Sequence, residues 1–229
     1  MIVQLKRFSF FKWIYFERSD VDRIIFLSCF FSIGLAITRV LYTGSFLYAS
    51  LCWNLFLAFV PLLITQGMMQ HISWIENKVK FVAAFAVWLL FIPNSFYIIT
   101  DLFHLRSMEI MPLWFDLALI FSFAWNGLLL GILSVRQMEK MVRLQVPLAN
   151  DLIFIYPIMW LNAFGIYLGR YLRFNTWDVL SNPFQLAIDI YKMTRHPVHF
   201  RFEWSMVFCF SILMTLMYAT LKKISKASW

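Results

Sequence analysis

Apolar residues run in long stretches along this chain, and charged residues fall almost entirely between them. Six such stretches cover residues 24–38, 46–66, 81–99, 113–133, 152–168 and 204–221. About 20 apolar residues in a helix cross the hydrocarbon core of a bilayer. The pattern therefore predicts an all-α integral membrane bundle of six transmembrane helices, or seven if part of the connection after the fifth dips into the membrane. The first stretch is short, so we expect its helix to continue past Arg39.

The same pattern divides the chain into one bundle with two flanking segments. Residues 1–23 are aromatic and basic and resemble an interfacial approach on the cytoplasmic side, without the apolar core and cleavage site of a signal peptide. Residues 24–221 form the bundle, and residues 222–229 a basic cytoplasmic tail. The connection 169–203 is long, and 184–192 within it are apolar enough for a helix on the bilayer surface that covers one end of the bundle.

Composition agrees with a membrane protein and excludes other classes. Apolar residues make up 62% of the chain and charged residues 14%, against about a quarter charged in soluble domains. The net charge of +8 does not indicate nucleic acid binding, because the basic residues lie at the ends of the spans. The three cysteines lie in apolar stretches without metal-binding spacing. No cofactor or metal is expected, and the expected partners are membrane lipids.

The basic residues also predict an orientation. Thirteen Lys and Arg residues lie on the side of the two termini and seven on the other. Because cytoplasmic loops carry the excess of positive charge, this count places both termini in the cytoplasm. The expected location is a cytoplasmic (inner) membrane.

Polar residues gather toward the extracytoplasmic end of this arrangement. On the third span Asn94, Tyr97, Asp101 and His104 recur at steps of three, four and three, which puts them on one helical face. Pro93 lacks an N–H group and is expected to bend this face toward the axis of the bundle. The same membrane depth is predicted for residues of three other segments: Asn54, Asp116, Asn126, Arg170, Arg173, Asn175 and Asp178.

Several of these runs carry a resemblance to a known family. They are Trp53-Asn54, Pro93-Asn94 through Asp101 to His104, Trp114-Phe115-Asp116, Ser122 to Gly127, Phe164 to Arg170 and Asn175 to Asp178. In these motifs the chain from about Leu41 to the last span resembles a bacterial membrane family catalogued as domain of unknown function 1361. The resemblance implies a multi-pass bacterial membrane protein and carries no activity.

Two interpretations of the polar cluster remain open. In the first it is a pocket, in which Asp101, His104 and Asp178 are catalytic candidates and Arg170 and Arg173 hold an anionic group. The remaining candidates would bind substrate: Asn54, Asn94, Tyr97, Asp116, Asn126 and Asn175. In the second interpretation the amides are packing contacts between helices, and the aspartates and arginines neutralise one another.

Three classes of function follow from these interpretations. The first is binding or modification of an anionic lipid or lipid-linked substrate, with enzymatic activity left open. The second is a small proton-coupled transporter or permease. Two features of the sequence argue against it: the charges gather at one face, and no internal repeat is visible. The third is an assembly subunit whose cluster is structural.

Overall fold

The computed structural model describes residues 20–105, 111–146, 150–176 and 178–225, except for the side chains of His104 and Leu180. Most of the predicted interfacial segment 1–23 and the end of the tail lie outside the described residues. Within them, six helices are long and apolar enough to cross a membrane. The predicted class, an all-α membrane bundle with six spans, is confirmed.

The spanning helices are joined by short helices and turns. They are α1 (Asp20–Thr43), α2 (Ser50–Gln70), α4 (Lys78–Tyr97), α5 (Leu113–Gln145), α6 (Asp151–Arg170) and α9 (Arg201–Ile224). A 3-10 segment (Ile98–His104) extends α4. The short helices are α3 (Ile72–Glu76), α7 (Asp178–Ser181) and α8 (Pro183–Arg195).

The bounds of three helices differ from those of the predicted apolar stretches. Helix α1 continues to Thr43, and α2 runs from Ser50 to Gln70, four residues later than the stretch 46–66. Helix α5 has 33 residues and runs twelve past the predicted end at 133, about 50 Å at the usual rise per residue. Apolar character ends where the hydrocarbon ends, whereas a helix continues until its backbone is capped or broken.

Helix α4 lies at the centre of the bundle because glycines let two other helices approach it closely. On α5, a Cβ atom added to Gly127 would lie 2.8 Å from the Ser95 carbonyl oxygen, and one added to Gly131 would lie 2.9 Å from the Ser95 Cβ. On α6, a Cβ atom added to Gly165 would lie 2.8 Å from Pro93 Cγ. Gly127 and Gly131 thus bring α5 against one side of α4, and Gly165 brings α6 against another side. GxxxG motifs in membranes allow the same close approach.

The other helices are arranged around this centre. Helix α2 also packs on α4 and α5, and Ser95 Oγ donates a 2.9 Å hydrogen bond to the Ala58 carbonyl of α2. Helix α1 packs on α5, and α9 packs on α6. Trp88 is fully buried at the middle of α4, where its ring nitrogen donates to Ser134 Oγ of α5 at 2.8 Å. A solid core therefore fills the bundle between α4 and α5.

Gly127→Ala should destabilise the bundle by about 1–3 kcal/mol, the usual cost of overpacking. The added methyl group meets backbone, which cannot rotate away. The matched control is Gly34→Ala in α1, where nothing lies within 4 Å of the new Cβ and a small gain in helix propensity is expected. Thermal unfolding of detergent-solubilised protein checks this, and equal melting temperatures for the two variants would refute the close α4–α5 contact.

Candidate functional site

A cavity of about 920 Å³ lies between α2 and α6, with α4 as its floor. Both helices pack on α4, and the space between them is the cavity, named here the cleft. Its α4 lining runs from Ala86 to Asp101, about 22 Å along the chain at helical rise. The part of the cleft away from Asp101 is lined by apolar residues: Leu57, Leu89, Leu90, Leu161 and Phe164. Leu161 of this lining is 38% exposed.

The polar groups of the cleft are concentrated at one end, named here the Asp101 end. Arg170 Nη2 of α6 donates to Asp101 Oδ1 at 2.6 Å, and Asn54 Nδ2 of α2 donates to Asp101 Oδ2 at 3.0 Å. The Nε and Nη2 atoms of Arg170 both donate to Thr100 Oγ1, at 2.9 and 2.7 Å. The guanidinium also lies over the Tyr97 ring, 4.6 Å from its centroid. One ion pair thus joins the three helices that form the cleft.

The backbone of α4 explains how these side chains reach the same place. Asn94, Tyr97 and Asp101 all line the cleft, as one helical face predicts. The helix nevertheless tightens into the 3-10 segment after Tyr97, so Asp101 does not occupy the α-helical position that the sequence spacing assumed. The side chain of His104 lies outside the described residues, and its predicted role stays a prediction.

The connection after α6 forms the roof of the cleft. Phe174, Asn175, Thr176, Val179 and Leu186 line it from above. The roof is tied to the floor by Asn94 Nδ2, which donates to Thr176 Oγ1 at 3.1 Å. The predicted surface helix is part of α8.

Helix α8 has two apolar faces with different surroundings. Leu186 reaches the cleft and Met193 is buried, whereas a second stripe at helical spacing is exposed. That stripe consists of Phe184, Ile188 and Tyr191, which are 83%, 47% and 65% exposed. Exposed apolar residues of this kind are typical of a helix at the membrane interface.

Asp116, grouped with the binding candidates by its membrane depth, instead forms a buried ion pair outside the cleft lining. Arg39 Nε and Nη2 donate to its two carboxylate oxygens at 2.7 and 3.2 Å, with both side chains at most 3% exposed. The Arg39 guanidinium also lies over the Tyr48 ring, 4.4 Å from its centroid. This bidentate pair joins α1 to α5, and it matches the alternative of mutual neutralisation.

Three further candidates lie away from the cleft lining. Asn126 is fully buried, and its Nδ2 donates to Ser32 Oγ of α1 at 2.9 Å. Asp178 accepts from the Asn175 backbone N–H at 2.6 Å and from the Ser181 hydroxyl at 3.0 Å, so it shapes the local turn. Arg173 is exposed, with a positive φ of 60°. The predicted clamp of two arginines is not formed, because only Arg170 lines the cleft.

Sequence reasoning missed a second charged network at the opposite end, named here the Glu139 end. Lys222 Nζ of α9 donates to Glu139 Oε1 of α5 at 2.5 Å and to Asp151 Oδ2 of α6 at 2.6 Å. Arg143 pairs with both carboxylates, and the Tyr218 hydroxyl donates to Glu139. Glu139 is only 3% exposed, so the expectation that buried charges gather at one face was wrong. The spacings of four between Glu139 and Arg143 and between Tyr218 and Lys222 carried the signal.

These observations define a class of protein: a polytopic helical membrane protein with a cleft between α2 and α6 that is polar at one end. No group of three or more His, Cys, Asp or Glu residues within the described ranges could hold a metal ion. The chain belongs to the family described as "Protein of unknown function (DUF1361)", whose sequence model matches residues 53–220. No curated protein and no solved structure matches it.

Asp116→Asn should destabilise the protein by about 3–5 kcal/mol, because it leaves the buried Arg39 guanidinium without its counter-charge. Replacing both partners by apolar residues, as Arg39→Met with Asp116→Leu, should recover most of that loss. Melting temperatures check both statements. The control is Arg23→Gln, which removes an ion pair with Asp20 whose side chains are 65% and 95% exposed and which should cost less than about 1 kcal/mol. A double variant as unstable as Asp116→Asn would contradict this assignment.

Proposed function

We propose that this protein binds one lipid-type molecule from the surrounding membrane in the cleft, with the headgroup at the Asp101 end and the chain in the apolar part. The observation that carries the proposal is the division of the cleft into these two parts. Ligand sites are mostly apolar cavities with a few convergent polar groups. The volume of about 920 Å³ falls within the range of such sites.

The depth of the cleft supports a ligand from a single leaflet. From Asn94 to Ala86 the apolar floor descends eight residues, about 12 Å at helical rise. Half of the hydrocarbon core is about 15 Å thick. The apolar part therefore matches the acyl region of one leaflet and ends near the midplane.

The packing beyond this point favours binding over passage across the membrane. Ala84, Ile155 and Ile158 are all at most 5% exposed and belong to one core cluster that extends from α4 to α6. Residues of this cluster occupy the half of the bundle between the cleft and the Glu139 end. A permease would need a route through this half, whereas a lipid-binding protein needs only an entrance from the membrane between α2 and α6.

The membrane and the orientation are part of the same proposal. Thirteen basic residues against seven support termini in the cytoplasm of a bacterial inner membrane. The Asp101 end then faces the extracytoplasmic side, and the ligand comes from the outer leaflet. The exposed stripe of α8, with Phe184, Ile188 and Tyr191, would lie at the headgroup level of that leaflet.

Leu90→Trp should block the chain-binding part of the cleft without loss of stability, because the larger side chain enters an existing cavity. We expect wild-type protein, extracted gently and analysed by native mass spectrometry with lipidomics, to retain a lipid that the variant loses. Occupancy should fall about tenfold or more, since excluding even two methylene groups costs about 1.6 kcal/mol.

The matched control is Leu216→Trp, which places the same side chain on the surface of α9, where Leu216 is 60% exposed. It should retain the lipid. Equal lipid retention by wild type and both variants, at equal melting temperatures, would contradict a binding role for the cleft. Lower melting temperatures for Leu90→Trp in the absence of any retained lipid would favour the structural alternative.

A further inference from the structure

The charge of the cleft is balanced within the protein. Among the described residues that line it, only Asp101 and Arg170 are charged. They form an ion pair of 2.6 Å, with side chains 6% and 14% exposed. The part of the lining that the structure describes therefore has no net charge to offer a charged headgroup.

The hydrogen bonds of this pair make a second ion in the cleft costly. Asp101 accepts from Arg170 and Asn54 through its two oxygens, and Arg170 donates twice to Thr100. An anion beside Arg170 would also lie beside the Asp101 carboxylate, which opposes it. To bind closely it would have to break the ion pair and leave Asp101 buried without its counter-charge, which is strongly unfavourable.

The remaining polar groups of the cleft are neutral and of a mixed kind. Asn54, Asn94 and Asn175 contribute amides, and Thr176 contributes a hydroxyl. Each amide has two donor hydrogens and one acceptor oxygen, and a hydroxyl both donates and accepts. Asp101 uses one hydrogen of Asn54, and Phe91 O and Thr176 use both hydrogens of Asn94. A ligand can therefore reach the second hydrogen of Asn54, the amide oxygens and the exposed amide of Asn175. A sugar presents hydroxyl groups with the same dual capacity, so its groups can be satisfied at this end without any charge.

Aromatic rings complete the arrangement. Trp53 and Phe174 line the same end of the cleft, and Trp53 is 57% exposed. Tyr97 also lines it, but the Arg170 guanidinium covers one face of its ring. The C–H face of a pyranose ring is apolar and packs on aromatic rings, while its edge carries the hydroxyl groups. Neutral amides combined with ring faces thus fit a polyhydroxy ring better than a phosphate, for which charged donors are favoured.

We infer that the ligand of the cleft is a lipid with an uncharged glycosyl headgroup, held by the amides and rings of the Asp101 end. This inference rests on the proposed function, because it names the ligand class of the same cleft. It replaces the anionic headgroup that the arginines in the sequence indicated. Any charged group of the ligand would remain outside the lining.

The test compares two probes that share one dodecyl chain: dodecyl maltoside and dodecyl phosphate. Full-length protein in polymer nanodiscs free of detergent is titrated with each probe, and native mass spectrometry gives the occupancy. We expect dodecyl maltoside to bind at least about tenfold more tightly than dodecyl phosphate, because it can bind without breaking the Asp101–Arg170 ion pair. Tighter binding of dodecyl phosphate would overturn the glycosyl assignment and leave the proposed function intact. Binding of neither probe above the level of Leu90→Trp would refute both.

Two amide variants test the headgroup contacts. Asn175→Ala should weaken dodecyl maltoside about fivefold, the effect of losing one hydrogen bond, and leave dodecyl phosphate unchanged. Asn182→Ala is the matched control, because Asn182 is an exposed amide of the same connection that neither lines the cleft nor caps α8 with its side chain. Asn94→Leu should act in the same direction as Asn175→Ala. Unchanged maltoside binding in Asn175→Ala and in folded Asn94→Leu would overturn the assignment.

Discussion

The close contact of α5 and α6 with α4 is the constraint on which the rest of the structure depends. Gly127 and Gly131 bring α5 against Ser95, and Gly165 brings α6 against Pro93, at distances that a Cβ atom would not permit. In lipid, apolar surface contributes little to helix association because the lipid tails are themselves apolar. Close van der Waals packing of this kind therefore has to supply the attraction. The face of α4 away from α5 is not closed by these contacts, and the cleft forms there between α2 and α6.

The Asp101–Arg170 ion pair follows from this packing and closes the upper end. Helix α6 can place Arg170 over Tyr97 only because Gly165 and Gly169 let its backbone approach α4. The pair is then satisfied by Thr100 and by Asn54 from α2, which ties together the three helices that form the cleft. A buried pair with complete hydrogen bonding is tolerated, whereas one partner alone is not. The pairing therefore stabilises this end and, in the proposed function, determines the kind of ligand that the cleft accepts.

Apolar stretches and helical spacing were sufficient to predict the six spans and the shared face of Asn94, Tyr97 and Asp101. They were insufficient for Asp116, because its predicted depth in the membrane does not say which neighbouring helix its side chain faces. In the structure the side chain faces α1 and pairs with Arg39. The role of Asp178 in a turn could not be predicted, because no helical period relates sequence spacing to side-chain direction in a loop. The Glu139 network was missed since its charges lie outside the predicted apolar stretches, where only the basic residues were interpreted, as signals of orientation.

The two ends of the bundle use charge for different purposes. At the Glu139 end, Lys222 lies between two carboxylates and joins α5, α6 and α9 over a buried apolar core. At the Asp101 end, the ion pair lies beside a cavity, and neutral amides and rings surround it. A purely structural cluster would be expected to collapse onto its charges, as the Glu139 end has done. The retention of an open cleft next to a fully paired Asp101 is therefore the feature that favours a ligand.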